Sequence, residues 1–248
     1  MIKKLFDKKE LNLIILSILL LSFAFGFNDG QQDFVLSYWI SHLILVIILV
    51  TISILIIELA IRNIAKMYDC SIEYKLWGIK RFFLGRILGF YIDTTLKRKI
   101  PLGIILCTLG AFISKGAFIF ALIQNHLIKE NAQVRSLRRS QHVSELETAI
   151  IYSVVPLTAL FLVCVAKILQ IDTLALINSY FAIFFIIPFP SSDAIRFLFS
   201  AKFFYLFIFM FVLTSTIILI NAGIISAIII GILTATIFLI LSLFKTYK

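Results

Sequence analysis

Long apolar runs dominate the chain, and polar residues are concentrated between the runs instead of alternating with apolar ones. Each run is close to the roughly 20 residues that a helix needs to cross the hydrocarbon core of a bilayer. The five best runs are residues 11–27, 34–60, 149–170, 203–221 and 223–244. A sixth run, residues 173–190, is shorter and ends in a Pro-x-Pro turn. Period-two alternation is absent, so the pattern predicts a helical bundle and not a barrel.

The composition agrees with this pattern. The mean hydropathy is +1.08, and 61% of the residues are hydrophobic, which is typical of an integral membrane protein. The N-terminal sequence MIKKLFDKKE resembles the basic head of a signal peptide, but the run after it has no A-x-A-like cleavage site. We therefore expect a retained first helix in an all-α polytopic membrane protein.

The distribution of Lys and Arg predicts the orientation of the helices, since cytoplasmic loops carry an excess of these residues. Four lysines precede the first run, whereas the following loop, NDGQQD, contains two acidic residues and no basic ones. Further basic residues are concentrated in residues 62–99 and 125–145 and at the C-terminus. Placing all of them on one side requires six spans in the cell membrane, with both termini in the cytoplasm.

This topology constrains the apolar stretch 101–124, which has Ser114, Lys115 and Gly116 in its middle. A simple span here would bury Lys115 and place the basic segment 125–145 on the outer side. A re-entrant hairpin or a short strand pair that turns at Lys115-Gly116 keeps both flanks cytoplasmic. Its backbone would need to be covered by protein. We favour the hairpin over the span.

The net charge of +10 is explained by the positive-inside rule and by attraction to anionic lipid. No soluble aromatic and basic platform is present, so we expect lipid contacts and no nucleic-acid partner. Cys70, Cys107 and Cys164 are widely spaced and form no C-x-x-C pair. They are expected to be reduced and buried or interfacial.

One apolar run contains an unexpected carboxylate. Residues 56–66 read IIELAIRNIAK, with Glu58 inside the second predicted span. Zinc metalloproteases place two His at positions i and i+4 of a helix, and a Glu next to the first His activates the bound water. If Glu58 is that glutamate, Ile57 and Ile61 occupy the two His positions.

Three further stretches extend the pattern in the same order along the chain. The first places Ala65, Lys66, Tyr68, Glu73, Tyr74, Lys75, Leu76 and Trp77 after the Glu58 helix. The second is VVPLTA at residues 154–159, and the third is FIIPFPSSDA at residues 185–194, which contains Pro188 and Asp193. Together they resemble the archaeal type of the site-2 protease family of intramembrane zinc metallopeptidases, over roughly residues 35–200. The resemblance implies a site-2 protease-like core in which Asp193 stands at the third metal ligand.

The chain departs from that family where the metal would bind. Both His positions are isoleucine, at Ile57 and Ile61, and only Asp193 remains of the three ligands. A catalytic zinc site needs three protein ligands, so we expect no metal, no cofactor and no catalytic residue, with Glu58 and Asp193 as remnants.

No histidine elsewhere is an evident substitute ligand. His42 lies sixteen residues before Glu58, about 24 Å along a helix. His126 and His142 lie in the basic segment 125–145 and would require an unusual fold-back to reach the site.

We therefore expect one membrane domain over residues 1–248, with an N-terminal helix and outer loop (1–34), a core (35–200) and a C-terminal helical hairpin (201–248). The expected function is that of a catalytically inactive subunit, scaffold or assembly factor, which packs against transmembrane helices of other membrane proteins; a stoichiometric complex is one form of this packing. A helix-binding groove would involve Glu58, Pro156, Pro188 and Asp193.

Two other functions stay open, an active intramembrane metalloprotease with an atypical metal site and a small transporter or channel. The surviving carboxylates also have two interpretations. They either face a polar crevice or form ion pairs with Arg62 and Arg196.

Overall fold

The structure is a computed structural model that describes residues 7–28, 30, 35–81, 95–130, 142–221 and 223–246. Within these ranges the chain forms helices and short strands, so the predicted helical architecture with a small strand component is confirmed. The elements in chain order are α1 (Lys8–Phe25), α2 (Leu36–Met67), β1 (Cys70–Leu76), β2 (Ile79–Arg81), β3 (Thr95–Ile100), α3 (Leu102–Ile113), β4 (Gln124–Glu130), α4 (Glu145–Ile168), α5 (Asp172–Ile186), α6 (Asp193–Ser200), α7 (Lys202–Asn221) and α8 (Ile224–Thr246).

Six of these helices correspond to the six predicted spans. Within the described ranges, four contain a stretch long and apolar enough to cross a membrane: Leu36–Met67, Glu145–Ile168, Lys202–Leu219 and Ile224–Phe244. Helix α1 begins with three charged residues, and α5 has only 15 residues. The protein is therefore an α-helical membrane protein by length and composition. That all six helices cross, with both termini in the cytoplasm, stays a prediction.

Helix α4 is the central helix of the bundle, in contact with α2, α5, α6 and α7. Its start is fixed by a capping box: the Ser144 side chain accepts from the Glu147 backbone N–H, and the Glu147 carboxylate accepts from the Ser144 backbone N–H. These two bonds satisfy backbone donors that the first helical turn leaves unpaired. The capping box therefore holds the first turn of α4 in place next to the residues described below.

The predicted reversal within residues 101–124 is confirmed, with α3 as its first arm and an extended second arm. Lys115 (φ 52°) and Gly116 (φ 80°) adopt the left-handed conformation that a tight turn needs. The second arm returns to the start of the first. The two arms are so close there that a Cβ at Gly103 would lie only 2.6 Å from the Leu122 carbonyl oxygen. Ile123 then accepts a hydrogen bond from the Trp77 backbone N–H at 2.7 Å. The hairpin thus delivers the chain back to the end of β1.

Strands β1 and β4 form an antiparallel pair in which Cys70 lies opposite Glu130 and Leu76 lies opposite Gln124. A second, smaller pair joins β2 and β3. Alternate side chains of β1 are buried, among them Ile72 and Tyr74, and this face of the pair lies against α1 and α2. The register places His126 directly opposite Tyr74, on the buried face. Pairing of β4 with β1 thus carries a histidine into the helical bundle.

A buried histidine between two carboxylates

His126 is fully buried, and both of its ring nitrogens contact carboxylates. Nε2 lies 2.6 Å from Oε1 of Glu58 in α2, and Nδ1 lies 2.5 Å from Oδ2 of Asp193, the first residue of α6. When both carboxylates are ionised they only accept hydrogen bonds, and each ring nitrogen then donates. A ring that donates from both nitrogens is an imidazolium. The geometry thus describes a buried cation that links three elements of the fold.

The backbone of His126 is held by the same neighbours. Its N–H donates to both oxygens of Asp193, at 2.9 Å to Oδ1 and 3.2 Å to Oδ2. Its carbonyl oxygen accepts from the hydroxyl of Tyr152 in α4, at 3.2 Å, and from Nη1 of Arg196. Side chains of α4 and α6 therefore satisfy the backbone hydrogen-bonding groups that a neighbouring strand would otherwise pair with at this edge of β4. Both the ring and the main chain of His126 are fixed.

Further ion pairs extend the cluster in both directions. Oε2 of Glu58 lies 3.5 Å from Nε of Arg62, and Nη2 of Arg62 lies 3.1 Å from Oε2 of Glu10 in α1. At the other end, Oδ1 of Asp193 lies 3.3 Å from Nη1 of Arg196. Six ions of alternating sign therefore follow one another, in the order Glu10, Arg62, Glu58, His126, Asp193 and Arg196. Their charges sum to zero only when His126 carries a proton. We call these six residues the ion chain.

The pKa of His126 agrees with this protonation. Burial lowers the pKa because it disfavours the charged ring, but the charges of Glu58 and Asp193 and their hydrogen bonds outweigh burial and raise the pKa to about 10. His126 is consequently an imidazolium at neutral pH. An ordinary histidine would be mostly neutral there.

Tyr74 covers one side of the imidazolium. Its ring meets the His126 ring edge-on, with 5.9 Å between the ring centroids. Its hydroxyl donates to Oγ of Ser17 in α1, at 2.6 Å. Burial raises the pKa of Tyr74, so this group stays a neutral donor. Tyr74 thereby packs β1 against α1 and helps to exclude water from the ion chain.

The structure brings together the two carboxylates that the sequence singled out, and both ion pairs considered above are present, with Arg62 and with Arg196. The expectation that His126 lies beyond reach is wrong. The hairpin returns residue 124 to the end of β1, and the pairing of β4 with β1 then places His126 between Glu58 of α2 and Asp193 of α6. A signal was present in the sequence, since His126 follows directly on the predicted hairpin, whose two flanks were expected on the same side of the membrane.

The other predicted site residues lie near the ion chain without joining it. Ile57 and Ile61 are completely buried in α2, where the resemblance implies histidine ligands. Pro156 is buried inside α4, one turn beyond Tyr152, and Pro188 lies in the connection between α5 and α6. Glu58 is fully buried, so it does not line an open surface. A groove formed by Glu58, Asp193 and the two prolines stays a prediction.

A catalytic zinc does not fit among these residues as they are arranged. A tetrahedral zinc bound by a ring nitrogen and a carboxylate oxygen holds those two atoms about 3.3 Å apart, with roughly 2 Å to each. Here the corresponding nitrogen–oxygen distances are 2.6 and 2.5 Å. In the part of the chain that the structure describes, no group of three or more His, Cys, Asp or Glu residues has the geometry to hold a metal ion.

Comparison with known proteins assigns no family. None of the protein-family models, curated proteins or solved structures compared with this chain matches it. The geometry of the site and the order of the sequence motifs are therefore the grounds on which a function can be argued.

Proposed function

We propose that this chain is a non-catalytic integral membrane protein with a site-2 protease-like core, and that it packs against the transmembrane helices of partner proteins as a subunit, scaffold or assembly factor. The observation that carries the proposal is the position of the His126 ring. The imidazolium lies between Glu58 and Asp193, where the resemblance implies a metal cation.

The imidazolium supplies the structural part of what a metal ion does. It neutralises two buried carboxylates and ties α2, β4 and α6 together. It does not supply the chemistry, because a catalytic metal keeps one open position for water or substrate. Both ring nitrogens of His126 already contact carboxylates. This arrangement favours a structural role over the alternative of an active metalloprotease with an atypical site.

A groove of about 750 Å³ offers a place for a partner helix. It lies between α4, α5 and the end of α7, with Phe118 of the hairpin at one side, and its lining is mostly apolar. Ala175 and Ser179 line it one turn apart on α5, and the Ser179 hydroxyl is already bonded to the Ala175 carbonyl at 2.7 Å. Small residues at this spacing let two helix backbones approach closely. A groove of this volume accommodates a few large side chains of a neighbouring helix.

Affinity purification in mild detergent, followed by mass spectrometry, tests the helix-packing role. We expect a stoichiometric membrane-protein companion, and we expect Leu176→Trp to reduce its recovery because Leu176 lines the groove and is 51% exposed. Leu233→Trp on α8 is the matched control, since Leu233 is 54% exposed and lies outside the groove. Absence of a companion, or equal recovery with both variants, contradicts the proposal.

Zinc binding to redesigned variants tests the site-2 protease-like core separately. Ile57→His with Ile61→His should not bind zinc, because His126 still occupies the space between the carboxylates. Adding His126→Ala should free that space and give a site with two imidazoles and Asp193. Elemental analysis and zinc-dependent thermal stabilisation measure the result. If the triple variant binds no zinc, the core assignment fails while the helix-packing role stands.

A further inference from the structure

A second pocket, of about 460 Å³, lies beside the ion chain where β4, the start of α4 and α6 meet. Unlike the larger groove, it combines polar and apolar lining. Arg196, Thr148 and Tyr152 contribute polar groups, and Phe199 and Ile128 contribute apolar surface. The ion pairs and hydrogen bonds described above do not account for the presence of this pocket.

Arg196 presents an unused edge of its guanidinium group at this pocket. Its Nη1 is fully engaged, with Asn125 Oδ1 at 3.2 Å, Asp193 Oδ1 at 3.3 Å and the His126 carbonyl oxygen as acceptors. Nη1 also lies 3.5 Å from the Tyr152 hydroxyl. Nε and Nη2 have no hydrogen-bond partner within the described ranges, and the side chain is 29% exposed. The guanidinium is therefore held in place from one side and free to bind from the other.

The neighbouring polar groups favour an anion. Thr148 lines the pocket and makes no side-chain hydrogen bond within the part of the chain described above, so its hydroxyl can donate. The Ser200 hydroxyl already donates to the Arg196 carbonyl at 2.8 Å, and the Tyr152 hydroxyl to the His126 carbonyl, so Thr148 is the hydroxyl donor of this lining. The one carboxylate in the lining, Glu130, accepts from the Val143 N–H at 2.9 Å and lies 3.3 Å from Nδ1 of His142. Guanidinium and hydroxyl donors together suit the tetrahedral oxygens of a phosphate.

The place of the pocket in the fold indicates which phosphate. Thr148 lies in the first turns of α4, a helix long and apolar enough to span the membrane. Insertion of α4 across a bilayer would place the pocket at the depth where the helix leaves the hydrocarbon. Phe199 lines the pocket on the amphipathic helix α6 and is 81% exposed. An exposed aromatic ring beside cationic and hydroxyl donors is typical of the membrane interface.

We propose that this pocket binds the phosphate group of an anionic membrane lipid, with Arg196 and Thr148 as donors and Phe199 against the apolar part of the lipid. The net charge of +10 draws such lipids to the cytoplasmic side in general. The pocket in addition provides a specific binding site for one anionic lipid.

Native mass spectrometry of the purified full-length chain tests this site, with phosphatidylglycerol and phosphatidylcholine added in equal amounts. We expect one phosphatidylglycerol retained in preference. Thr148→Val should weaken its retention about tenfold, because a hydrogen bond to a charged group is lost. Thr108→Val is the control: it removes the hydroxyl of another half-buried threonine, on α3 and away from the pocket, and should leave retention unchanged. Arg196→Gln should abolish the preference, with thermal unfolding used to check that this variant folds.

The same measurement identifies outcomes that overturn the proposal. Equal retention of the two lipids excludes selection of an anionic lipid, since phosphatidylcholine also carries a phosphate group. Unchanged retention in Thr148→Val excludes a phosphate site of this kind even if Arg196→Gln fails to fold. Inorganic phosphate is the remaining probe. If millimolar inorganic phosphate displaces the lipid completely and binds alone with the same affinity, the site is one for free phosphate and the lipid assignment is wrong.

Discussion

The two faces of the β1–β4 pair carry the same arrangement of charges with opposite signs. On the buried face one cation, His126, lies between two carboxylates. On the outer face one carboxylate, Glu73, lies between two ammonium groups, with Lys75 Nζ at 3.0 Å and Lys129 Nζ at 3.2 Å. The distances on the outer face are those of ordinary ion pairs. The difference between the two clusters is the solvent around them.

Exposure decides what each cluster contributes. The Glu73 side chain is 28% exposed and that of Lys129 is 61% exposed, so water and salt screen their attraction. Such pairs contribute about 0–1 kcal/mol. His126 and Glu58 are fully buried, and removing one partner from a buried ion pair costs about 3–5 kcal/mol because the other charge is left unpaired. The same geometry is therefore costly to break on the buried face and cheap to break on the outer face.

The largest effect is expected from His126→Ala, which leaves two carboxylates facing each other across a cavity. We expect the free energy of unfolding to fall by about 3–5 kcal/mol, measured by denaturant titration in detergent. Added imidazole should restore part of the loss because it fits the cavity that the ring leaves. His142→Ala is the control: its side chain is 88% exposed, and the change should stay within about 0.5 kcal/mol. Equal effects of the two substitutions would contradict the assignment of a buried cation.

An effect of comparable size is expected from pH, and its sign follows from the raised pKa of His126. The folded-state pKa is about 10, and the unfolded value is about 6.5. The stabilisation is therefore complete below about pH 6.5 and is lost as pH rises towards 10. Thermal unfolding between pH 6 and 10 should show a steady fall in stability. A fall of the same size in His126→Ala would assign it to other groups.

Glu73→Gln should have the smallest effect, below about 1 kcal/mol. Hydrogen bonds and charge from Lys75 and Lys129 lower the pKa of Glu73, so its contribution is present above its unfolded value and disappears as pH falls. This direction is opposite to that of His126. Thermal unfolding at low and high salt measures the contribution, which should vanish at high salt. A loss as large as that of His126→Ala would remove the contrast between the two faces.

Much of the fold could be predicted from the sequence because its signals are local. Apolar runs of the right length predict the long helices, and the Lys115-Gly116 pair inside an apolar stretch predicts the hairpin turn. The boundaries of α1 and α5 were less predictable. The first run was predicted to begin at residue 11, but α1 already begins at Lys8 and includes charged residues. The sixth run was predicted to extend to residue 190, but α5 ends at Ile186, before the two prolines.

The ion chain was only half predictable, because its centre depends on a contact between distant parts of the chain. Glu58 and Asp193 are noticeable since carboxylates are rare in apolar surroundings. His126 lies in a polar stretch and gives no such signal. Its burial depends on the pairing of β4 with β1, 68 residues after Glu58 in sequence. The fold-back that His126 was expected to need is supplied by the hairpin, which returns the chain to the end of β1.

The alternating signs of the ion chain also restrict how this protein can evolve. Neutralising any inner member leaves two like charges as neighbours, so tolerated changes should come in pairs. We expect positions 58, 126 and 193 to covary among homologous sequences, either all charged or all apolar. With the proposed site-2 protease-like core, homologues that carry histidine at both positions 57 and 61 would bind a metal cation there. In those sequences histidine should be absent from position 126, since the two cations would compete for the same pair of carboxylates.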